Sequence, residues 1–179
     1  FSTIEDRLLS LTRKYLHLFP TLSLIAVLEP ENEQYFQSSF EKHFLSNAKN
    51  SSEKIKCGEI ISGVRMIKGT GFGLTPSGDD FIAGILFGTF FTETKYNTDL
   101  SWLRSEIVEM TESSNQLTNS FIRNASVGYF YHALKNLLHL SPQNFDFENR
   151  LTAVLSIGET SGADLLAGFI FSIKNNIGT

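Results

Sequence analysis

Cysteine is nearly absent, with Cys57 the single example in 179 residues. One thiol excludes an intrachain disulfide and any zinc site built on several cysteines, and it suits a reducing compartment. Positive charge is not in excess either: 15 Lys and Arg against 19 Asp and Glu give a net charge of -4, which leaves no basic footprint for nucleic acid. Long apolar runs are missing too. The longest, near Phe81 to Phe91, falls well short of the roughly 20 residues that span a bilayer. No charged-then-apolar leader is present. These absences point to a cytoplasmic chain that binds neither nucleic acid nor membrane, with a small anionic metabolite or other proteins as partners. By length we expect residues 1–179 to be one α-helical domain, and the start at Phe1 rather than at Met leaves open a processed chain or the C-terminal part of a longer one.

A hydrophobic share of 41% is enough for a real core at this length. Ile4, Leu8, Leu11, Tyr15 and Leu18 recur at helical steps, with Ser2 or Thr3 as a cap and Pro20 just beyond. The run TLSLIAVLEP is too short for periodicity to separate a helical turn from a strand. Tyr35, Phe36, Phe40, His43 and Phe44 predict a helix over 32–48, the polar stretch 47–52 a loop, and 52–66 a further helix that ends before Gly69. Downstream, helices are predicted to about Thr94, over 100–110, over 115–138 with Ser141-Pro142 as its stop, and in two last segments, FENRLTAVLSI and SGADLLAGFIFSIKNN. Few segments alternate as strands. The class is mainly α, a compact multi-helix array with Gly-rich loops at helix N-termini.

Within that array one motif occurs twice. GLTPSGDDFIAGILF and GETSGADLLAGFIF align, with a gap at Pro76, so that Gly73 matches Gly158, Thr75 matches Thr160, Ser77 matches Ser161, Gly78 matches Gly162 and Asp80 matches Asp164. Each copy reads as a helix start in which the serine caps the helix and Asp80 or Asp164, three residues on, reaches back as in a capping box. Gly84, Gly88, Ala83, Ala167 and Gly168 are small residues that let two such helices pack closely. Two N-termini brought together in this way would form an anion site.

Gly69-Thr70-Gly71-Phe72-Gly73 is rich enough in glycine for backbone N–H groups to converge on an anion, yet it lacks the offsets of a P-loop or a dinucleotide fingerprint. Asp79 has no counterpart in the second copy, where Ala163 stands. It is therefore the carboxylate that capping leaves unexplained, with roles open as general base, acceptor for a substrate amide, ligand to Mg2+, or partner of the helix dipole. No metal-ligating constellation is visible otherwise. Arg123, in the polar stretch Thr118 to Ser126, is a candidate cation for the site, with Lys68 and Arg65 beside it. His132 and His139 are two helical turns apart, too far for one metal ion. Glu159 is placed to face the second motif.

GTGFGLTPSGDDFIAGILFG, the second motif GETSGADLLAGFI and the polar helix between them resemble a bacterial family, long catalogued as a domain of unknown function, whose signature is Gly-Leu-Thr-Pro-Ser-Gly-Asp-Asp. The resemblance covers residues 68–173. It departs at Phe72, where a small residue or Pro is expected, and at Glu159, where a polar residue such as His is expected. That family includes a subunit of oxamate carbamoyltransferase, which acts in allantoin degradation, a branch of purine catabolism, by phosphorolysis of oxalurate to oxamate and carbamoyl phosphate. The resemblance implies a transferase subunit that works with other subunits and binds phosphate or a carbamoyl group. Taken with the motif, it makes Asp79, Thr75 and Ser77 the catalytic candidates. Gly71, Gly73, Gly78, Arg123, Thr160, Ser161 and Gly162 are the substrate-binding candidates. A non-catalytic module that binds a small anion or metabolite and regulates a partner is the alternative, as is a scaffold whose motif serves only tight helix packing. Whether the chain is itself an enzyme stays open at this point.

Overall fold

The computed structural model describes residues 4–138 and 146–178, and the side chains from Asp6 onward. Helix α1 (Ile4–Lys14) buries Leu8 and Thr12 and gives way to a 3₁₀ turn at Leu16–Leu18. The candidate caps Ser2 and Thr3 lie outside the described residues. The ambiguous run resolves as a second 3₁₀ turn, Leu24–Val27, with Leu24, Ile25 and Ala26 buried. A third, Pro30–Tyr35, precedes α2 (Ser39–Lys56). Here the expected helix over 32–48 starts late, because Ser38 and Glu41 form a reciprocal capping box: the Glu41 N–H donates to the Ser38 hydroxyl at 3.2 Å and the Ser38 N–H to the Glu41 carboxylate at 2.9 Å.

The expected loop over 47–52 is helix instead. Its polar groups face α3 (Ile60–Ile67) rather than solvent: Asn47 donates to the Met66 carbonyl at 2.7 Å and Ser51 to the Gly63 carbonyl at 2.8 Å. Gly63 admits this approach, since a Cβ there would lie 2.6 Å from the Ser51 carbonyl oxygen. The break between the two helices falls at Cys57-Gly58, with Gly58 at φ +87°.

Beyond the glycine loop come α4 (Ser77–Tyr96), α5 (Ser101–Thr111), α6 (Gln116–Ser126), α7 (His132–Leu138), α8 (Phe147–Leu155) and α9 (Ser161–Lys174). The single helix expected over 115–138 is two, because Gly128 turns the chain at φ +79° and the Tyr129 N–H closes the end of α6 on the Asn124 carbonyl. Ser141-Pro142 and His139 lie outside the described residues.

Helices α4 and α9 form the centre of an all-α fold. They run parallel, as their contacts show: Gly84 lies against Leu165 and Gly168, and one turn further Gly88 lies against Ser172. A Cβ on Gly84 would strike the Leu165 carbonyl oxygen, and one on Gly168 the Phe81 carbonyl oxygen, so both glycines are required by backbone contact. Phe81 packs on Phe171 and Phe87 on Phe169 around this line. From Ser77 to Gly88 every residue of α4 is buried. The remaining helices wrap the pair, and Arg104 of α5 fastens α4 through a bidentate pair with Glu93 at 2.9 and 3.0 Å. No helix among the described residues is long and apolar enough to cross a membrane.

Candidate functional site

Both copies of the repeated motif come together where α4 and α9 begin. Pro76 and Thr160 occupy the N-caps, and neither helix start carries a side-chain cap bond. The expected capping boxes are therefore absent. Each helix begins one residue earlier than the serine pattern suggests, so Asp80 and Asp164 fall on the fourth helical residue, beyond the reach of the free N–H groups, and turn into the seam instead.

The hydroxyls along that seam pair crosswise. Thr75 meets Ser161 at 3.3 Å, and Ser77 meets Thr160 at 3.5 Å. Since Thr75 matches Thr160 and Ser77 matches Ser161, these are one contact made twice with the roles exchanged. The glycines obey the same local two-fold: a Cβ on Gly78 would collide with the Ile67 carbonyl at the end of α3, and one on Gly162 with the Val154 carbonyl near the end of α8. Each motif is thus laid on the helix that precedes it.

The three acids diverge here. Asp79 accepts the Gly69 N–H at 2.7 Å, which closes the glycine loop. Burial pulls its carboxyl up, and the Gly69 N–H and the Lys68 charge oppose that pull. Asp80 is 1% exposed, accepts the Thr75 hydroxyl at 3.1 Å through Oδ2, and has no partner at Oδ1. Burial pushes it up to about 7 against the favourable Ser161 and Thr75 hydroxyls, and the neighbouring Asp79 adds to the rise. Asp164 is fully buried, receives the Leu24 N–H at 2.6 Å on Oδ1, and has no partner at Oδ2. It too is pushed up to about 7, by burial first, with the charge of Asp80 contributing.

Over the seam lies a cleft of about 500 Å³. Its polar groups come from Thr75, Asp80, Glu159, Thr160 and Ser161. Phe72, Leu74, Leu117, Phe121 and Tyr131 form most of its apolar wall, and no Lys, Arg or His among the described residues lines it.

The family model for oxamate carbamoyltransferase subunit AllH matches residues 67–173. The chain belongs to this family. The AllH match begins at the end of α3 and runs into the last turn of α9, so it includes both motifs, the seam and every helix between them. No curated protein and no solved structure is similar enough to this chain to count as a match.

Within the AllH-matched segment, the candidate residues separate into those at the cleft and those behind it. Gly73, Thr75, Thr160 and Ser161 line the cleft, and so does Glu159. Ser77, Gly78 and Gly162 lie underneath, buried. A Cβ on Gly71, at φ +101°, would lie 2.7 Å from Ser77 and 2.9 Å from the Phe44 ring, so this position admits only glycine. Asp79 accepts the Gly69 N–H of the glycine loop and is not among the residues that line the cleft. Arg123 is not brought to the seam: it pairs with Glu112 at 2.5 Å on the exposed side of α6. Lys68 donates to the Met110 and Glu112 carbonyls at 3.0 and 2.9 Å. Asn119, polar in mid-helix, binds the Ser113 N–H and carbonyl and anchors the turn before α6. Among the described residues no three His, Cys, Asp or Glu gather as a metal site.

Sequence reasoning missed Asp80 and Asp164 by giving them to capping. The signal was available: an acid repeated at the same place in two otherwise apolar helices is not needed by either helix.

Proposed function

We propose that this chain is the AllH-type subunit of an oxamate carbamoyltransferase, taking part in the cytoplasm in phosphorolysis of oxalurate to oxamate and carbamoyl phosphate. The observation that carries the reading is the pair of parallel helix starts whose hydroxyls interlock at the floor of a cleft. In the reaction a phosphate oxygen attacks the carbamoyl carbon, the bond from that carbon to the oxamate nitrogen breaks, and the nitrogen takes up a proton. Charge develops on the carbamoyl oxygen during the attack. Two positive helix ends and the hydroxyls of Thr75 and Ser161 are suited to stabilise that oxygen or a phosphate oxygen. The cleft has no cation of its own, and in this reading the partner subunits supply the Lys or Arg that a dianionic phosphate needs.

Calorimetric titration of phosphate and carbamoyl phosphate into the chain assembled with its other subunits tests the assignment. Combined Thr75→Ala and Ser161→Ala substitution should weaken binding about tenfold, as expected for lost ligand hydrogen bonds; unchanged affinity in a folded double variant would count against the site. The missing cation also favours a second reading, a non-catalytic module that binds a small anion or metabolite and regulates its partners. Turnover that appears only when this chain joins the other subunits, and vanishes with the double variant, excludes that alternative.

A further inference from the structure

The carbamoyl-transfer reading, on which this inference rests, leaves unused the most unusual group in the cleft. Asp80 is almost wholly buried, forms part of the cleft floor, and has one carboxyl oxygen tied to Thr75 while the other has no partner. Buried polar atoms are rarely left so unless something else completes them. Asp164, on the facing helix, is in the same state: its Oδ1 is committed to the Leu24 N–H and its Oδ2 lacks a partner. Oδ1 of Asp80 has no accessible surface and can be served by a proton held between the two carboxyls, so the acceptor capacity that Asp80 offers a ligand lies at the cleft floor it helps to form, beside Thr75 and Ser161.

The composition of the wall narrows what a donor arriving there belongs to. With Asp80 and Glu159 present and no Lys, Arg or His among the described lining residues, a bare oxyanion set against Asp80 would meet repulsion and no counter-charge. A primary amide presents the opposite arrangement. Its NH2 is a donor for a carboxyl oxygen, and its carbonyl oxygen is an acceptor for a hydroxyl or a helix N–H. Both complements stand side by side at Asp80 and Ser161.

We propose that Asp80, held by Thr75 and backed by Asp164, is the specificity-determining residue of the cleft, which receives the NH2 of a ligand's primary amide or ureido group while the start of α9 at Ser161 receives its carbonyl oxygen. Asp79, its neighbour in sequence, has no part in this. The end of the substrate that enters this cleft is then the neutral amide end, and its carboxylate or phosphate faces outward, toward other subunits.

Calorimetric titration of the full chain with oxamate, oxalate, N,N-dimethyloxamate, inorganic phosphate and carbamoyl phosphate tests the assignment. Oxalate replaces the amide of oxamate by a second carboxylate at nearly the same size, and dimethylation removes both amide donors. Wild type should bind oxamate about tenfold or more tighter than either analogue, since a site built to pair a donor rejects a ligand that lacks it. Asp80→Leu should level oxamate with oxalate, while Asp80→Asn, which retains an acceptor oxygen, should keep the preference. Equal affinities of wild type for oxamate and its two analogues would overturn the inference without any variant having to fold. A folded Asp80→Leu protein with its preference intact would overturn it as well. Phosphate binding without amide preference would remove this inference and leave the proposed function standing; failure of every probe, carbamoyl phosphate included, would remove both.

Discussion

Burial without a counter-charge sets Asp80 and Asp164 apart from the chain's other perturbed acids. Glu41, Glu93, Asp99 and Asp146 are held below the usual carboxylate range by hydrogen bonds that favour the ion. The seam acids are pushed from 3.8 up to about 7, so the folded state holds their protons more tightly than the unfolded chain does. Their stabilisation is complete below about pH 4 and is lost as pH rises to about 7. The lowered acids act in the opposite sense, since the stability they add is lost as pH falls through their depressed values. Urea denaturation should therefore give a larger unfolding free energy at pH 5 than at pH 8, by an amount on the order of a few kcal/mol. The Asp80→Asn, Asp164→Asn double variant should flatten that slope. Asp79 belongs to a different class, because its hydrogen bond to the Gly69 N–H is structural. Asp79→Ala should destabilise by about 1 kcal/mol, the net value of a hydrogen bond whose donor, the Gly69 N–H, is exposed and can turn to water, and should leave the oxamate to oxalate preference where it was. An Asp79→Ala protein of full stability with altered ligand preference would reverse the roles assigned to the two neighbours.

Between elements, contact is controlled by glycines that admit backbone rather than by large side chains alone. Gly84→Ala or Gly168→Ala places a methyl on a carbonyl oxygen of the facing helix, and each should destabilise by about 3 kcal/mol or more, the range of overpacked cores and beyond. Gly69→Ala meets no neighbour and bears only the strain of φ +69°, for about 1 kcal/mol. Thermal melts of the three variants would check the order. This closeness was legible in the sequence, where Gly84, Gly88, Ala167 and Gly168 recur at helical spacing, and helices α1, α4, α5, α8 and α9 were legible from periodicity and turn residues. The errors have local causes. Asn47 and Ser51 read as loop because a sequence displays polarity but not the α3 carbonyls that satisfy it. Ser77 read as a cap because the pattern does not show that Pro76 takes that position, and the one-residue shift moved Asp80 from helix end to seam. The pairing of the candidate cation Arg123 with Glu112 was not legible either, because it is fixed only by how α5 and α6 cross. The split at Gly128 was the remaining misreading, a lone glycine whose turn is set by its packing against Phe90.

For the molecule as a whole, the exposed apolar residues are not spread evenly. Leu74, 86% exposed, stands with Leu117 and Tyr131 at the cleft. In the proposed subunit role this rim is where a partner closes the cleft, and Leu74→Asp with Leu117→Asp should reduce assembly with the other subunits, read by size-exclusion chromatography, without lowering the melting temperature of the isolated chain. The central pair has a different consequence, which concerns synthesis. Helix α4 is buried from Ser77 to Gly88, yet the helix that covers it is the last of the described chain, so on the ribosome α4 emerges long before α9 exists. Until then a helix that is buried along most of its length has no native cover, the condition under which nascent chains aggregate or engage chaperones. A chain stopped at Gly158 should accordingly enter the pellet on expression and be recovered in soluble form when α9 is supplied as a separate co-expressed segment.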